Sequence, residues 1–285
     1  STGGGAGPAD PEIEVGGTAQ KFTGLTDDIL TDAAIAYIRE HAAVPFYVHV
    51  ALRSPHAKWL PVAAEDWAPF ADREMTLPEP AHPDLKHDEA RRMMREYLAS
   101  IAGVDRNVGR LLAVLEELSL SDNTVVIFSS DHGYNVGHHG IWHKGNGYWL
   151  TRTLPSDTTN VPGKIRPNLY DTSLRTPLIV CWPARIPAGL EVTETVTNLD
   201  LYPTILAMAG VGQAAGAEVR GRDFLPLLQG RKVVDWNNDL YAEYSMRVYA
   251  RDEGSRADYA ALLASPAEGT RIYACGPTRL LEALE

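Results

Sequence analysis

Apolar positions recur at helical spacing from Thr26 to Arg39, where Ile29, Leu30, Ala33, Tyr37 and Ile38 share a face and Thr26 stands as an N-cap before Asp27 and Asp28. That pattern predicts an amphipathic helix. The run PFYVHVAL, Pro45 to Leu52, is rich in aromatic and β-branched residues and ends at RSPH, so it predicts a buried strand followed by a loop carrying His56. A polar, Pro-rich loop is expected from Pro61 to about Pro83. The most periodic segment is Asp88 to Leu118, where Met94, Tyr97, Leu98, Ile101, Val104, Val108, Leu111, Leu112, Leu115 and Leu118 form one stripe and predict a long helix.

TVVIFSS, Thr124 to Ser130, reads as a strand buried on both faces, with Asp131 at its C-terminal end. After a loop rich in Gly, Pro and Thr (Gly145 to Pro167), TPLIVCWP, Thr176 to Pro183, predicts another strand. NLDLYPTILAMAG, Asn198 to Gly210, predicts a helix with Pro203 in its first turn and Gly210 closing it. Alternating helices and apolar strands argue an α/β fold with a central, mostly parallel or mixed sheet sandwiched by helices. Residues 1–20 are expected to be loop.

Composition narrows the function classes. The chain has 285 residues, 45% hydrophobic and 22% charged, enough for a sizeable core. Its net charge of -11, without a basic stripe, argues against a nucleic-acid partner. No run reaches the length of a membrane span. Two cysteines, Cys181 and Cys275, are too few for a disulfide framework or a Cys-based zinc site. The first residues lack the basic and apolar regions of a signal peptide and no Met precedes them, so the chain is expected to begin inside a longer protein.

The chemistry concentrates in SSDHGYNVGHHGIWHKG. Ligands of open α/β sheets gather outside the carboxyl ends of strands, which is where Asp131 and His132 fall. A carboxylate oxygen and an imidazole nitrogen could meet one divalent cation if Gly133 turns the chain sharply. The alternative is that Asp131 caps a turn and the histidines are solvated. Lys144 follows on a Gly-punctuated loop able to fold back over the same strand end.

This stretch, followed by YDTSLRTPLIVCWPARIPAG and TNLDLYPTILAMAGV, resembles the sulfatase family of the alkaline phosphatase superfamily. The upstream TDDILTDAAIAYIREHAAVPFYVHVALRSPH and the downstream GRDFLPLLQG and YAEYS are similar to family segments, so the resemblance covers about residues 20–248. It implies that residues 21–215 belong to a catalytic α/β domain, incomplete at the N-terminus, and that 216–250 start a C-terminal subdomain. It implies a divalent cation, calcium in most members, with Asp131 and His132 among its ligands. It implies that His56 and Lys144 grip the sulfate ester, with His56 assisting the leaving group, and that His139 lies near the pocket. His138 and His143 are expected to be surface residues, and Trp142 and Trp182 packing residues.

The family nucleophile is a formylglycine made in a C-x-P-S-R type motif, expected with two early aspartates upstream of the first helix. CGPTR, Cys275 to Arg279, has the C-x-P-x-R core but not the L-T-G continuation, and is not taken as the nucleophile. Residues 252–285 instead resemble a ferredoxin-reductase type oxidoreductase segment, so 251–285 are read as an atypical tail, either foreign after a junction near Ala250 or a divergent sulfatase tail with a chance C-G-P. The expected function is that of a sulfatase fragment, inactive alone, whose parent hydrolyses a small-molecule or carbohydrate sulfate ester. The rivals are a phosphodiesterase or phosphonate monoester hydrolase of the same superfamily, an inactive metal-binding remnant, and an oxidoreductase inferred from the tail. Location is left open, although many relatives in the family are periplasmic or secreted.

Overall fold

The computed structural model describes residues 7–144, 146–154, 165–212 and 218–240. The chain divides into the units Ser1–Tyr244 and Ser245–Glu285; the second lies outside the described residues, together with YAEYS and Cys275.

The expected N-terminal loop contains a hairpin. Strands β1 (Glu12–Val15) and β2 (Thr18–Lys21) pair antiparallel, with Val15 opposite Thr18. The pair Gly16–Gly17 takes the turn at φ of 57° and 83°, a backbone that only glycine adopts cheaply and that suits a two-residue hairpin. Helix α1 (Thr26–Glu40) follows, and its N-cap is Leu25, not Thr26. The Thr26 hydroxyl, fully buried, donates to the Gly7 carbonyl at 2.7 Å, so it ties the helix start to the incoming chain. The buried face is Thr31, Ala34 and Ile38, while Ala33 and Tyr37 lie exposed.

The Pro-rich stretch expected to be loop holds a short helix α2 (Ala64–Trp67) and a single 3-10 turn at Ala68–Phe70. Helix α3 (His87–Glu117) matches its predicted span closely. Its buried residues include Ser100 and Asn107, while Leu112 of the predicted stripe is 44% exposed. Polar partners account for the burial of Asn107, whereas the Ser100 hydroxyl is buried without a hydrogen-bond partner among the described residues. Arg106 of α3 donates to Asp66 of α2 (Nε to Oδ1 at 3.0 Å, Nη2 to Oδ2 at 2.9 Å) and to Asp28 of α1 at 2.9 Å. Asn107 donates to the same Asp28 at 2.7 Å. Both carboxylates favour the charged guanidinium and raise the Arg106 pKa against the cost of burial, the Asp66 hydrogen bonds most of all.

Strands β3 (Val126–Ser129) and β6 (Leu178–Cys181) pair antiparallel with Val126 opposite Cys181, and β4 (Asn146–Tyr148) pairs antiparallel with β5 (Ile165–Pro167). The short helix α4 (Asp171–Leu174) precedes β6. The expected double burial of the first strand is not met: all four β3 residues are half-buried, and Ile179 of β6 is 62% exposed. Nor does Pro45 to Leu52 form a strand. It alternates half-buried Phe46, Val48, Val50 and Leu52 with exposed Tyr47, His49 and Ala51, but among the described residues none of its backbone groups joins a backbone hydrogen bond. Its side chains obey strand periodicity without a ladder. Phe46, Val48 and Val126 pack together against Ile38, Val114 and Leu115 of α1 and α3.

Helix α5 (Asn198–Ala209) begins with a capping box between Thr197 and Asp200 and closes on Gly210 in the left-handed region. Pro203 stands in its second turn rather than its first. Trp182 packs with Ile186, Phe224, Leu227 and Leu228 in the core between β6, α5 and α6 (Leu225–Leu228). No described helix is long and apolar enough to cross a membrane.

Asp66 is 4% exposed and answers a guanidinium that also holds Asp28, so Asp66→Ala leaves a charge inside the α1–α2–α3 contact. We expect urea unfolding to show a loss of about 3 kcal/mol, with a much smaller effect for Glu65→Ala, whose side chain is 71% exposed.

Candidate active site

The chain leaving β3 is pinned before it turns. The Ser130 hydroxyl donates to the His132 carbonyl at 2.9 Å, and Asn198 of α5 donates to the Ser130 carbonyl at 3.1 Å. Gly133 then donates its N–H to the Ser173 carbonyl at 2.8 Å. Glycine is needed there for space: a Cβ at 133 would lie 2.2 Å from the Thr172 carbonyl oxygen.

The segment 136–142 doubles back, with Val136 N–H bonded to the Trp142 carbonyl at 3.0 Å and Gly137 N–H to that of Ile141 at 2.8 Å. Asn135, 1% exposed, locks this return. Its amide donates to the His143 carbonyl and, at 2.9 Å, to the Ser173 hydroxyl, while its oxygen accepts from Thr172 at 2.6 Å. Asn168 donates to the Lys144 carbonyl at 3.4 Å and accepts from Ser173 at 2.7 Å. Lys144 is thereby delivered to the strand end that bears Asp131.

The Lys144 ammonium donates to His132 Nε2 at 2.5 Å. This requires the proton of a neutral His132 on Nδ1, which donates to the Gly133 carbonyl at 2.8 Å. Asp131 Oδ1 lies 3.4 Å from the same Nε2, and its side chain is 85% exposed. His56 arrives on a separate loop. Asp27 of α1 accepts from the Arg53 and Ser54 N–H groups at 2.7 and 3.0 Å, and Arg53 Nη1 donates to the His56 and Lys58 carbonyls at 2.9 and 2.8 Å. His56 Nδ1 is 2.5 Å from the Ala57 carbonyl, which leaves Nε2 as the nitrogen able to meet a ligand.

His143, expected on the surface, is half-buried between these groups. Its ring lies 5.9 Å from that of His56, 5.2 Å from Tyr134 and 5.6 Å from Trp142. Burial pushes its pKa down to about 4, and the neighbouring Lys144, His56 and His132 push the same way. His139 and His138 make other contacts: His139 stacks on Tyr170 at 3.8 Å, and both rings lie 3.5 Å from Glu79. Trp142 packs against the core of Trp59, Leu77, Leu85, Ala90, Met93, Val136 and Leu150.

The donor set tests the expected cation. Asp131 and His132 converge, but among the described residues no group of three or more His, Cys, Asp or Glu is placed to hold an ion. Calcium takes six to eight oxygen ligands. The described residues therefore do not close around calcium by themselves. What they do assemble is an ammonium and three imidazoles beside a single exposed carboxylate, an arrangement suited to an anionic group.

The family model for sulfatases matches residues 7–211. The chain belongs to the sulfatase family. A second model, described as the C-terminal part of N-sulphoglucosamine sulphohydrolase, matches residues 166–259. An N-acetylglucosamine-6-O-sulfatase of Bacteroides thetaiotaomicron is 32% identical over 153 residues, covering 53% of this chain and 23% of the relative. An endo-4-O-sulfatase of the same organism is 29% identical over 207 residues, covering 70% and 36%. The chain thus spans about a quarter to a third of the length of these relatives. Among solved structures, a protein in complex with its substrate D-glucosamine-2-N,6-O-disulfate aligns with a TM-score of 0.65 at 21% identity, covering 81% of this chain and 57% of the other. That likeness supports the α/β, alkaline-phosphatase-like fold.

Sequence reasoning missed Asn135 and His143. Asn135 has partners 37 and 38 positions away, which no local spacing reveals. The depressed His143 pKa has a measurable sign. The unfolded chain titrates near 6.5 and binds more protons than the folded one between that value and about 4. The His143 contribution to stability is therefore complete above pH about 6.5 and is lost as pH falls toward 4. Histidine-resolved NMR titration should show the His143 ring neutral at pH 5.5, where a solvated histidine is mostly protonated.

Proposed function

We propose that this sulfatase-family chain supplies the sulfate-gripping part of an active site whose parent protein hydrolyses a carbohydrate sulfate ester. The observation that supports this most is the contact between Lys144 and His132, with His56 brought from a separate loop against the residue before Lys144. In this reading the Lys144 ammonium compensates charge that grows on the sulfuryl oxygens as the ester bond breaks. His56, its Nδ1 held by the Ala57 carbonyl, presents Nε2 to the leaving oxygen and gives it a proton. The carbohydrate class is supported by the N-acetylglucosamine-6-O-sulfatase among the relatives.

Asp131 and His132 are the donors this chain would give to a divalent cation, calcium by analogy with the family, with further ligands supplied from outside the described set. Such an ion adds positive charge at the sulfate oxygens. His132 would release Lys144 toward the sulfate on taking that role. The family's formylglycine is assigned to no residue of this chain. His139 is left out of the grip, because its ring is occupied by Tyr170.

Titration calorimetry with glucosamine-6-sulfate and with unsulfated glucosamine tests the grip. Binding of the sulfated sugar should weaken about 10- to 100-fold in Lys144→Ala, the loss expected of one charge-assisted contact. Equal affinity for the two sugars would sink the reading. Tighter binding of glucosamine-6-phosphate than of the sulfate would favour the phosphate-ester rival.

Calcium titrated into the chain should bind in the millimolar range or weaker, and Asp131→Ala should abolish that binding. Tight binding untouched by the substitution would overturn the ligand assignment.

A further inference from the structure

His143 has no part in the grip described above, yet it touches both halves of it. Its ring edges onto the His56 ring, with centroids 5.9 Å apart and planes at 83°. Its carbonyl is taken by the buried Asn135 amide, and the next residue is Lys144. One residue therefore faces the His56 ring with its side chain and is followed along the backbone by Lys144.

The walls around it leave the ring little freedom. Tyr134 lies 5.2 Å away at 58°, Trp142 5.6 Å away at 85° and Tyr148 6.4 Å away at 82°. Aromatic neighbours at these distances and tilts favour edge-to-face contact, which fixes angle as well as separation. His56, by contrast, is exposed. Among the described residues its ring is otherwise held through Nδ1 alone, and the contact with His143 supplies a second restraint.

We propose that His143 is a positioning residue that sets the His56 imidazole at a fixed distance from the Lys144 ammonium. The proposal rests on the reading of His56 and Lys144 as the sulfate grip, but the contact itself exists whether or not sulfate binds. A neutral ring suits the task, because a charged one would repel the nearby Lys144 ammonium. Burial keeps the His143 ring neutral over the range in which a solvated histidine charges.

The test uses the full chain, labelled for NMR, as wild type, His143→Phe and His143→Leu. Both replacements fill the site, and only phenylalanine restores an aromatic edge. Without ligand, His143→Leu should move the His56 Cε1–H resonance by more than the changes at His41, His49 and His87, while His143→Phe holds it near the wild-type position. Affinity for glucosamine-6-sulfate should fall about tenfold in His143→Leu and recover to within about twofold in His143→Phe. Thermal unfolding of both variants separates a general loss of fold from a local one. If the two variants leave the His56 signal equally unchanged, or shift it equally, the positioning role is wrong. If wild type binds no sulfated sugar, the grip reading fails, and the ligand-free His56 signal still decides the positioning role.

Discussion

The Asn135 carboxamide accepts from Thr172 and donates to Ser173 and to the His143 carbonyl, so one buried side chain joins the loop after β3, the returning strand of chain at 142–144 and helix α4. Each of these segments exposes backbone groups that need partners once water is excluded. An apolar residue at 135 would fill the space but leave the Ser173 and Thr172 hydroxyls and the His143 carbonyl short of a partner. The position of Lys144 thus depends on a hydrogen-bond closure one residue away, supported by Asn168 at its own carbonyl. Gly133 depends on the same neighbours, since its missing Cβ is what lets Thr172 approach.

A second constraint governs the other half of the site. Asp27 and Asp28, adjacent in the first turn of α1, serve different tertiary partners. Asp27 receives the N–H groups of Arg53 and Ser54 and so sets the loop that carries His56. Asp28 receives Arg106 and Asn107 and so fixes α1 against α3. Two acidic residues that look from sequence like ordinary partners of the helix dipole are, in the structure, the link between the helical layer and the His56 loop. Rotating α1 about its axis would release both.

Much of this was legible where periodicity is strong. The spans of α3 and α5, the strand segments at β3 and β6, and the return of Lys144 toward the end of β3 follow from apolar spacing and from glycine placement. The errors have a common physical source. Thr26 and Asn107 are buried because tertiary polar partners reach them, so the buried faces of α1 and α3 depart from the apolar stripe. His143 looked like a surface residue because polarity was read as exposure. Its immediate neighbours in sequence, Trp142 and Lys144, point to opposite environments, and only the fold shows that the aromatic one encloses it.

The segment at 45–52 shows how a site can be held where the usual scaffold is not in place. In an α/β fold a catalytic residue at a strand end takes its position from the hydrogen-bonded ladder behind it. Here the chain approaching His56 has strand periodicity in its side chains but makes no backbone ladder among the described residues. Phe46 and Val48 anchor one end by packing on the α1–α3 core, and the Asp27 and Arg53 hydrogen bonds anchor the other. Packing fixes depth but not register along the chain, so register must come from the polar contacts at Arg53, Ser54 and Ala57. The His56 imidazole is consequently located by side-chain hydrogen bonds and one aromatic edge, a lighter restraint than the closed network that locates Lys144.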